Sequence, residues 1–160
     1  MWNEQIIMML LEGIKDTLYM TLTSTLIGYV IGLPMGILLT VTDKDGIHPN
    51  TAVYKVLDVI ATLIRSVPFL ILLIVLIPFT RFLIGRSYGP TATIVPLVIA
   101  AAPYIARMVE SSLKEVDAGV IEAARSMGAS NFTIVTKVML VEARTSLIVG
   151  ATISLGTILG

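Results

Sequence analysis

Residues 116–143 read VDAGVIEAARSMGASNFTIVTKVMLVEA, a polar stretch between apolar runs that are too long for the core of a soluble domain. A connector of this length without structure of its own is uncommon and is usually functional. Apolar residues recur in it with helical spacing on both sides of Gly128. The stretch therefore predicts a helix, a glycine turn and a second helix between membrane spans, which is the shape of a docking element.

The first predicted helix has two different faces. Its apolar face holds Val120, Ile121, Ala124 and Met127. Its polar face holds Glu122, Arg125 and Ser126, with Glu122 and Arg125 spaced as an i,i+3 pair. Gly128 follows at the point where a helix commonly ends in a left-handed residue. Beyond it, Ser130 is suited to cap a second helix, whose apolar residues are Phe132, Ile134, Val135 and Val138.

The same residues carry a family resemblance. Glu122-Ala123-Ala124, then Gly128, then Val138-x-Leu140-Val141 resembles the EAA motif of ABC-importer permeases. That motif ends Ile-x-Leu-Pro, so Val138 is a conservative departure and Val141 stands in place of the proline. The resemblance implies that a separate ATPase subunit docks on a set of residues: Glu122, Ala123, Ala124, Arg125, Gly128 and Leu140. The alternative interpretation is an ordinary amphipathic surface helix with a glycine cap.

Composition favours a membrane protein. Hydrophobic residues make up 56% of the chain and charged residues 14%, against about 25% charged in average usage. The formal net charge is zero, which does not favour a nucleic-acid partner, and there is no cysteine. The single histidine, His48, lies in a polar loop. Because metal and acid-base sites need clusters of such residues, we expect no enzyme active site, no metal and no cofactor on this chain.

The first predicted span is Leu18–Val41, which contains no charged residue. A short amphipathic lead-in, residues 1–17, precedes it. Gly28, Gly32 and Gly36 recur every four residues along the span. In a membrane this spacing lets a neighbouring helix approach closely, although glycine is also simply tolerated in lipid.

The second and third predicted spans both contain proline. We expect Tyr54–Phe79 to be one long helix, with Asp58 and Arg65 on a shared face. Arg65 either extends its guanidinium to the membrane boundary or faces the bundle interior. Pro90–Met108 contains Pro96 and Pro103, which indicate a bent or broken helix beside a transport pathway, or a tolerated kink. Arg107 and Glu110 are spaced to pair at its end.

The last apolar segment, Thr145–Gly160, has no charged residue but is shorter than the roughly 20 residues that a span needs. We therefore expect an all-α integral membrane protein with a bundle of about four transmembrane helices in one domain, residues 1–160. The family resemblance implies a fifth span, so we interpret the sequence as a fragment truncated at its carboxyl end.

Further segments narrow the resemblance to permeases of methionine importers. These segments are Arg65–Phe69, Ile77–Arg81, Ile94–Leu97 and Ala101–Glu110. Within them we select candidates for the translocation pathway: Arg65, Ser66, Pro68, Pro103 and Tyr104. No residue spacing by itself identifies methionine as the substrate.

Lysine and arginine counts predict the orientation. The side that holds residues 116–143 carries seven basic residues and the opposite side three, with Arg65 left out. The positive-inside rule then places residues 116–143 in the cytoplasm and the amino terminus outside a bacterial inner membrane.

The resemblance also implies partners. Two permease copies in lipid would work with two cytoplasmic ATPase subunits and an external substrate-binding protein that meets residues 80–89. The sequence has no G-x-x-x-x-G-K-[ST] loop, so we expect ATP-Mg to bind the ATPase subunit. Two other functions stay open: a permease for a different small nutrient, and a structural or assembly protein that transports nothing.

Overall fold

Helices form every regular element in residues 4–159, the part of the chain that the computed structural model describes. Eight helices follow in order: α1 Glu4–Thr42, α2 Thr51–Ser66, α3 Phe69–Val75, α4 Ile77–Ile84, α5 Pro90–Lys114, α6 Ala118–Ser126, α7 Asn131–Glu142 and α8 Arg144–Leu159. Within α7, Ile134–Met139 is π-helical. The predicted all-α membrane class is confirmed.

Two of these helices, α1 and α5, are each long and apolar enough to cross a membrane. Two bent pairs, α2 with α3 and α7 with α8, reach the same length and composition only when each pair is taken together, which gives up to four spans. Large apolar side chains of α1 such as Met9, Leu26 and Val30 are exposed, as expected for helices that face lipid.

α1 joins the predicted lead-in and the predicted first span into one helix of 39 residues. At a rise of about 1.5 Å per residue it is about 58 Å long, which exceeds the roughly 30 Å hydrocarbon core. The lead-in is therefore not a separate element over the part described; residues 1–3 lie outside it. Nothing between Glu4 and Leu18 interrupts the helix, because Gly13 alone is no helix breaker and its carbonyl accepts a hydrogen bond from Thr17.

The prediction of a single helix over residues 54–79 is wrong. α2 ends at Ser66, and α3 leaves it at an angle of 104°. Pro68 is the physical reason, because proline has no N–H and forces the preceding residue out of the helical region. Val67 accordingly has an extended backbone, with φ −85° and ψ 124°. A second interruption at Leu76 separates α3 from α4.

α5 continues as one helix through both of its prolines and runs six residues beyond the predicted end, to Lys114. α5 is therefore not broken at either proline, which was one of the predicted alternatives. Pro96 and Pro103 are both buried within the bundle, where α1 and the other helices surround α5. α8 spans Arg144–Leu159 and is bent by 71° from α7, and Gly160 lies outside the described residues.

α1 and α5 approach each other closely along the glycine face of α1, which is formed by Gly28, Gly32 and Gly36. A Cβ atom on Gly32 would stand 2.7 Å from the carbonyl oxygen of Ala102, and one on Gly36 would stand 2.5 Å from that of Ala106. A Cβ atom on Gly28 would stand 3.0 Å from the side chain of Ile105 and 3.3 Å from that of Ala101. The two backbones approach so closely that only glycine fits, which is how small residues stabilise helix pairs in lipid.

The core continues from this contact into the polar end of the molecule. Its buried residues are Ala101, Ile105, Val109, Leu113, Ala124, Ile134, Met139 and Ala143. The first four lie along α5, and the others belong to residues 116–143. The end of α5 is thus the platform on which α6 and α7 pack.

Candidate functional site

The helix–turn–helix predicted for residues 116–143 forms, and local hydrogen bonds explain its shape. Asp117 caps α6 by accepting a hydrogen bond from the Gly119 N–H at 2.7 Å. Gly128 ends α6 with φ +81°, as predicted, and the Ala129 N–H donates back to the Ala124 carbonyl at 3.1 Å. Ser130 then caps α7 by accepting from the Thr133 N–H at 3.2 Å. The geometry of the turn is therefore determined by the residues within and beside it.

Two side chains near Gly128 that were predicted to lie on the apolar faces of this element are exposed instead. Ala124 and Ile134 are buried, but Met127 is 83% exposed and Phe132 78% exposed. Met127 is exposed because α6 stops at Ser126, so Met127 belongs to the turn and not to the helical face. Phe132 lies in the first turn of α7, ahead of Ile134 and Met139, the residues of α7 that belong to the buried core. Two large apolar side chains therefore flank the glycine turn on a polar part of the surface.

The motif residues take different positions on this element. Glu122 and Ala123 are exposed, Ala124 is buried, and Leu140 is half-buried against the core. The predicted Glu122–Arg125 pair does not form. Arg125 instead donates to the carbonyl oxygen of Ile47 at 2.9 Å, which ties α6 to the loop after α1. Within residues 4–159, Glu122 therefore has no ion-pair partner.

An ion network joins the end of α5 to α2 and to the loop after α1. Glu110, only 5% exposed, accepts hydrogen bonds from Arg107 and Lys114, each at 2.8 Å. The predicted Arg107–Glu110 pair is thus confirmed. Arg107 also pairs with Asp58, so Asp58 does not act with Arg65, the residue with which it was predicted to share a face.

Lys114 extends the same network into the loop, where it lies 2.7 Å from Asp43. The hydrogen bond from Lys114 lowers the pKa of the Asp43 carboxyl. The favourable link is therefore present above the ordinary pKa of an aspartate and is lost as the pH falls through the lowered value. Sequence spacing predicted the Arg107–Glu110 pair and missed the Glu110–Lys114 pair, although these two residues are only four apart on α5. It could not find the pairs with Asp58 and Asp43, because these partners lie 49 or more residues away.

The pathway candidates are divided between a cavity and the bundle. Arg65 and Tyr104 both line a cavity of about 620 Å³ between the end of α2, α3, α5 and α8. The Arg65 guanidinium carbon lies 5.9 Å from the centre of the Tyr104 ring. Ser66 donates to the Thr62 carbonyl, Pro68 starts the bend before α3, and Pro103 is buried on α5. Thr157 also lines the cavity, and sequence reasoning missed it because no motif contains it.

Comparison with known protein families and sequences shows which proteins this chain resembles. The family described as binding-protein-dependent transport system inner membrane component matches residues 7–160. The chain is 48% identical over 158 residues to the D-methionine transport system permease protein MetI of Salmonella typhimurium, covering 99% of this chain and 73% of that protein. It is equally identical, with the same coverage, to the MetI protein of Escherichia coli K12.

Solved structures agree with the sequence comparison. The fold superposes with a TM-score of 0.97 on a chain of the MetNI methionine ABC transporter in an inward-facing conformation, at 48% identity and covering 99% of this chain and 74% of that one. A chain from an amino acid ABC transporter with histidines matches with a TM-score of 0.63 at 23% identity, which shows a shared fold alone.

Proposed function

The chain belongs to the family of binding-protein-dependent transport system inner membrane components, and on that premise we propose that it is the permease subunit of an ATP-driven methionine importer. The observation that carries this proposal is the 48% identity over 158 residues to D-methionine permeases, which leaves almost none of the chain outside the comparison. The permease itself is not catalytic. It provides the membrane pathway, and a partner subunit hydrolyses ATP.

Residues 116–143 are the part of this permease that receives the ATPase. Two features of the described surface support that role. Met127 and Phe132 expose apolar surface beside the Gly128 turn, and exposed apolar patches on a polar surface typically mark protein interaction sites. Glu122 adds a carboxylate that has no partner within the described residues, so it is available for a charge-assisted hydrogen bond.

The element is also suited to transmit force. α6 and α7 are held at a fixed angle by Gly128 and pack through Ala124, Ile134 and Met139 on the end of α5. α5 in turn contacts α1 through backbone-to-backbone packing. A push on the turn would therefore reach α5, and through it α1, by way of this shared buried core.

The remaining assembly follows the family pattern. Two copies of the permease stand in the lipid of a bacterial inner membrane, with two ATPase subunits that bind ATP-Mg on the cytoplasmic side. An external binding protein delivers the substrate near residues 80–89. The seven-to-three distribution of basic residues supports a cytoplasmic position for residues 116–143 and an external amino terminus.

Cysteine labelling tests this orientation. Asp45 is exposed in the loop after α1, and Tyr88 is 81% exposed in the loop before α5. Asp45→Cys should react with a membrane-impermeant reagent only from the cytoplasmic side, and Tyr88→Cys only from outside. Labelling of both from one side would contradict the orientation and with it a cytoplasmic docking element.

Reconstitution tests the function as a whole. The full-length permease, its ATPase and its binding protein are placed in vesicles, and methionine uptake is measured together with ATP hydrolysis. We expect methionine to stimulate hydrolysis and to accumulate in an ATP-dependent manner. Stimulation by a different solute alone would favour a permease for another nutrient. Failure of any ATPase to co-purify with the chain would contradict an importer altogether.

A further inference from the structure

The cavity beside α2 has the composition of a small-molecule site. Its volume, about 620 Å³, falls within the range of roughly 300–1,000 Å³ that ligand pockets occupy. Most of its lining is aliphatic, and the polar exceptions are Arg65, Tyr104 and Thr157. Such a cavity, with apolar walls and a few convergent polar groups, binds an apolar body that carries one polar head.

Arg65 determines the charge of that head. It is the one charged residue among those that line the cavity in residues 4–159, and it forms no ion pair there. Its contact with Tyr104 is a cation–π contact, which stabilises a guanidinium without neutralising it. A positive charge among apolar walls is stabilised further by a ligand anion, and the planar guanidinium matches a carboxylate with two parallel hydrogen bonds.

The neighbouring polar groups suit an ammonium group on the same ligand. Ile64 and Arg65 lie in the last turn of α2, where the carbonyl end of a helix carries partial negative charge. The hydroxyl oxygens of Tyr104 and Thr157 lie 3.4 Å apart and are further acceptors. A simple fatty carboxylate would leave these acceptors unused.

Resting on the proposed function, we propose that this cavity binds the transported amino acid directly, with its carboxylate on Arg65 and its side chain against the apolar wall. The ammonium group lies toward the end of α2 and the two hydroxyls. Phe69 and Leu72 on α3 and Leu97 on α5 form the wall that receives the side chain. An aromatic ring in this wall suits a thioether, because sulfur–aromatic contacts are favourable.

The bend at Pro68 creates this site. A straight helix over residues 54–79 would direct the segment after Ser66 along the membrane axis, whereas the 104° turn brings Phe69 and Leu72 to the same cavity as Arg65. Three residues of the segment Arg65–Phe69 thus have different roles in the proposed site. Arg65 binds the carboxylate of the ligand, Pro68 makes the bend, and Phe69 contacts the side chain of the ligand.

The test compares two ligands that differ only in the carboxylate. The full-length permease with its ATPase is purified without binding protein or nucleotide, and the Kd values of L-methionine and L-methioninol are measured by equilibrium dialysis. Methioninol keeps the amine and the thioether but carries a hydroxymethyl group instead of a carboxylate. Arg65→Gln should raise the Kd of methionine about 10- to 100-fold, the loss expected for a charge-assisted hydrogen bond. It should leave the Kd of methioninol within about twofold.

Two further variants separate binding from folding. Lys55→Gln removes an exposed cation from the same helix, ten residues earlier and outside the cavity lining, and should change neither Kd. Ala100→Leu fills part of the cavity and should raise the Kd of both ligands by a similar factor, because Ala100 lies in the wall and not at the head. Equal Kd values of wild type and Arg65→Gln for methionine would overturn the proposal. Equal shifts for both ligands in Arg65→Gln would also overturn it, because Arg65 would then only shape the cavity.

Failure of the proposed function gives a different result. If wild-type vesicles do not take up methionine, the same comparison is made with leucine and leucinol, and discrimination through Arg65 would still support a carboxylate site for another apolar amino acid. If wild-type vesicles transport methionine but Ala100→Leu leaves both Kd values unchanged, methionine binds to the permease outside this cavity. The direct-binding proposal is then wrong while the importer function stands.

Discussion

Two regions of the molecule depend on glycine for opposite reasons. Along α1, Gly32 and Gly36 have ordinary helical backbones, and a side chain is excluded by the carbonyl oxygens of α5 at 2.5–2.7 Å. At the turn between α6 and α7, nothing lies within 4 Å of a Cβ on Gly128, but its φ of +81° is one that other residues rarely adopt. The first region needs the absence of a side chain, and the second needs the freedom of a backbone.

The difference predicts where damage appears. A substitution on the glycine face of α1 changes the distance between two membrane helices, so it should affect the folded permease as a whole. A substitution at Gly128 changes only the angle between two short helices on the polar surface. It should therefore leave the membrane part intact and affect what happens at the interface with a partner.

The largest effect should come from Gly32→Leu. The new side chain would have to displace the backbone of α5 at Ala102, because a carbonyl oxygen cannot rotate out of the way as a side chain can. We expect a loss of most folded permease, measured as the monodisperse yield after detergent extraction. Gly13→Leu is the matched control on the same helix, since nothing lies within 4 Å of a Cβ there, and its yield should equal that of wild type.

Gly128→Val should abolish transport while the yield stays normal. A β-branched residue is strongly disfavoured at positive φ. The turn would therefore change its backbone conformation, and the angle between α6 and α7 would change with it. ATP hydrolysis should become insensitive to solute or stop. The measurement is uptake and hydrolysis in the same vesicles, normalised to inserted protein. Gly128→Asn is the control, because asparagine tolerates the left-handed region and should keep most of the uptake. Normal uptake by Gly128→Val would reduce residues 116–143 to a simple connector.

Glu122→Ala should weaken the docking of the ATPase without changing the stability of the permease. Glu122 is exposed and has no ion-pair partner within the described part of the chain, so its removal leaves nothing unsatisfied there. In the complex we expect a loss of about 1.5–3 kcal/mol, the contribution of a hydrogen bond to a charged group. The affinity of the detergent-solubilised permease for the ATPase measures this loss. Glu12→Ala, an exposed glutamate on α1, should not alter it. A loss below about 1 kcal/mol would place Glu122 at an exposed rim.

The smallest effect should come from Ser130→Ala. The side chain caps α7 through the Thr133 N–H, and the loss of such a cap typically costs about 1 kcal/mol. Hydrogen exchange at the first turn of α7 should become faster, while exchange within α1 and α5 should not change. Ser130→Asp, which keeps a capping oxygen, should retain the protection. Faster exchange throughout the molecule would show that the turn and the membrane helices are less independent than the glycine comparison indicates.

Local signals in the sequence predicted the elements that depend on neighbouring residues alone. The left-handed Gly128, the Ser130 cap and the Arg107–Glu110 pair each involve groups within about one helical turn, so spacing and residue type suffice to find them. The uninterrupted charge-free stretch of α1 likewise predicts a membrane helix from length and composition. The resemblance to importer permeases rests on the same kind of short, ordered pattern.

Other features were settled only by packing in three dimensions. Arg125 reaches Ile47 instead of Glu122, and Arg107 reaches Asp58, because the folded chain brings distant groups closer than the helical neighbours. The sequence shows Pro68, but proline alone does not predict a break, because α5 continues through both Pro96 and Pro103. The surrounding helices decide whether a helix breaks at a proline or continues through it. The cavity at Arg65 exists for the same reason. Its walls come from four helices, and no local pattern records how those helices meet.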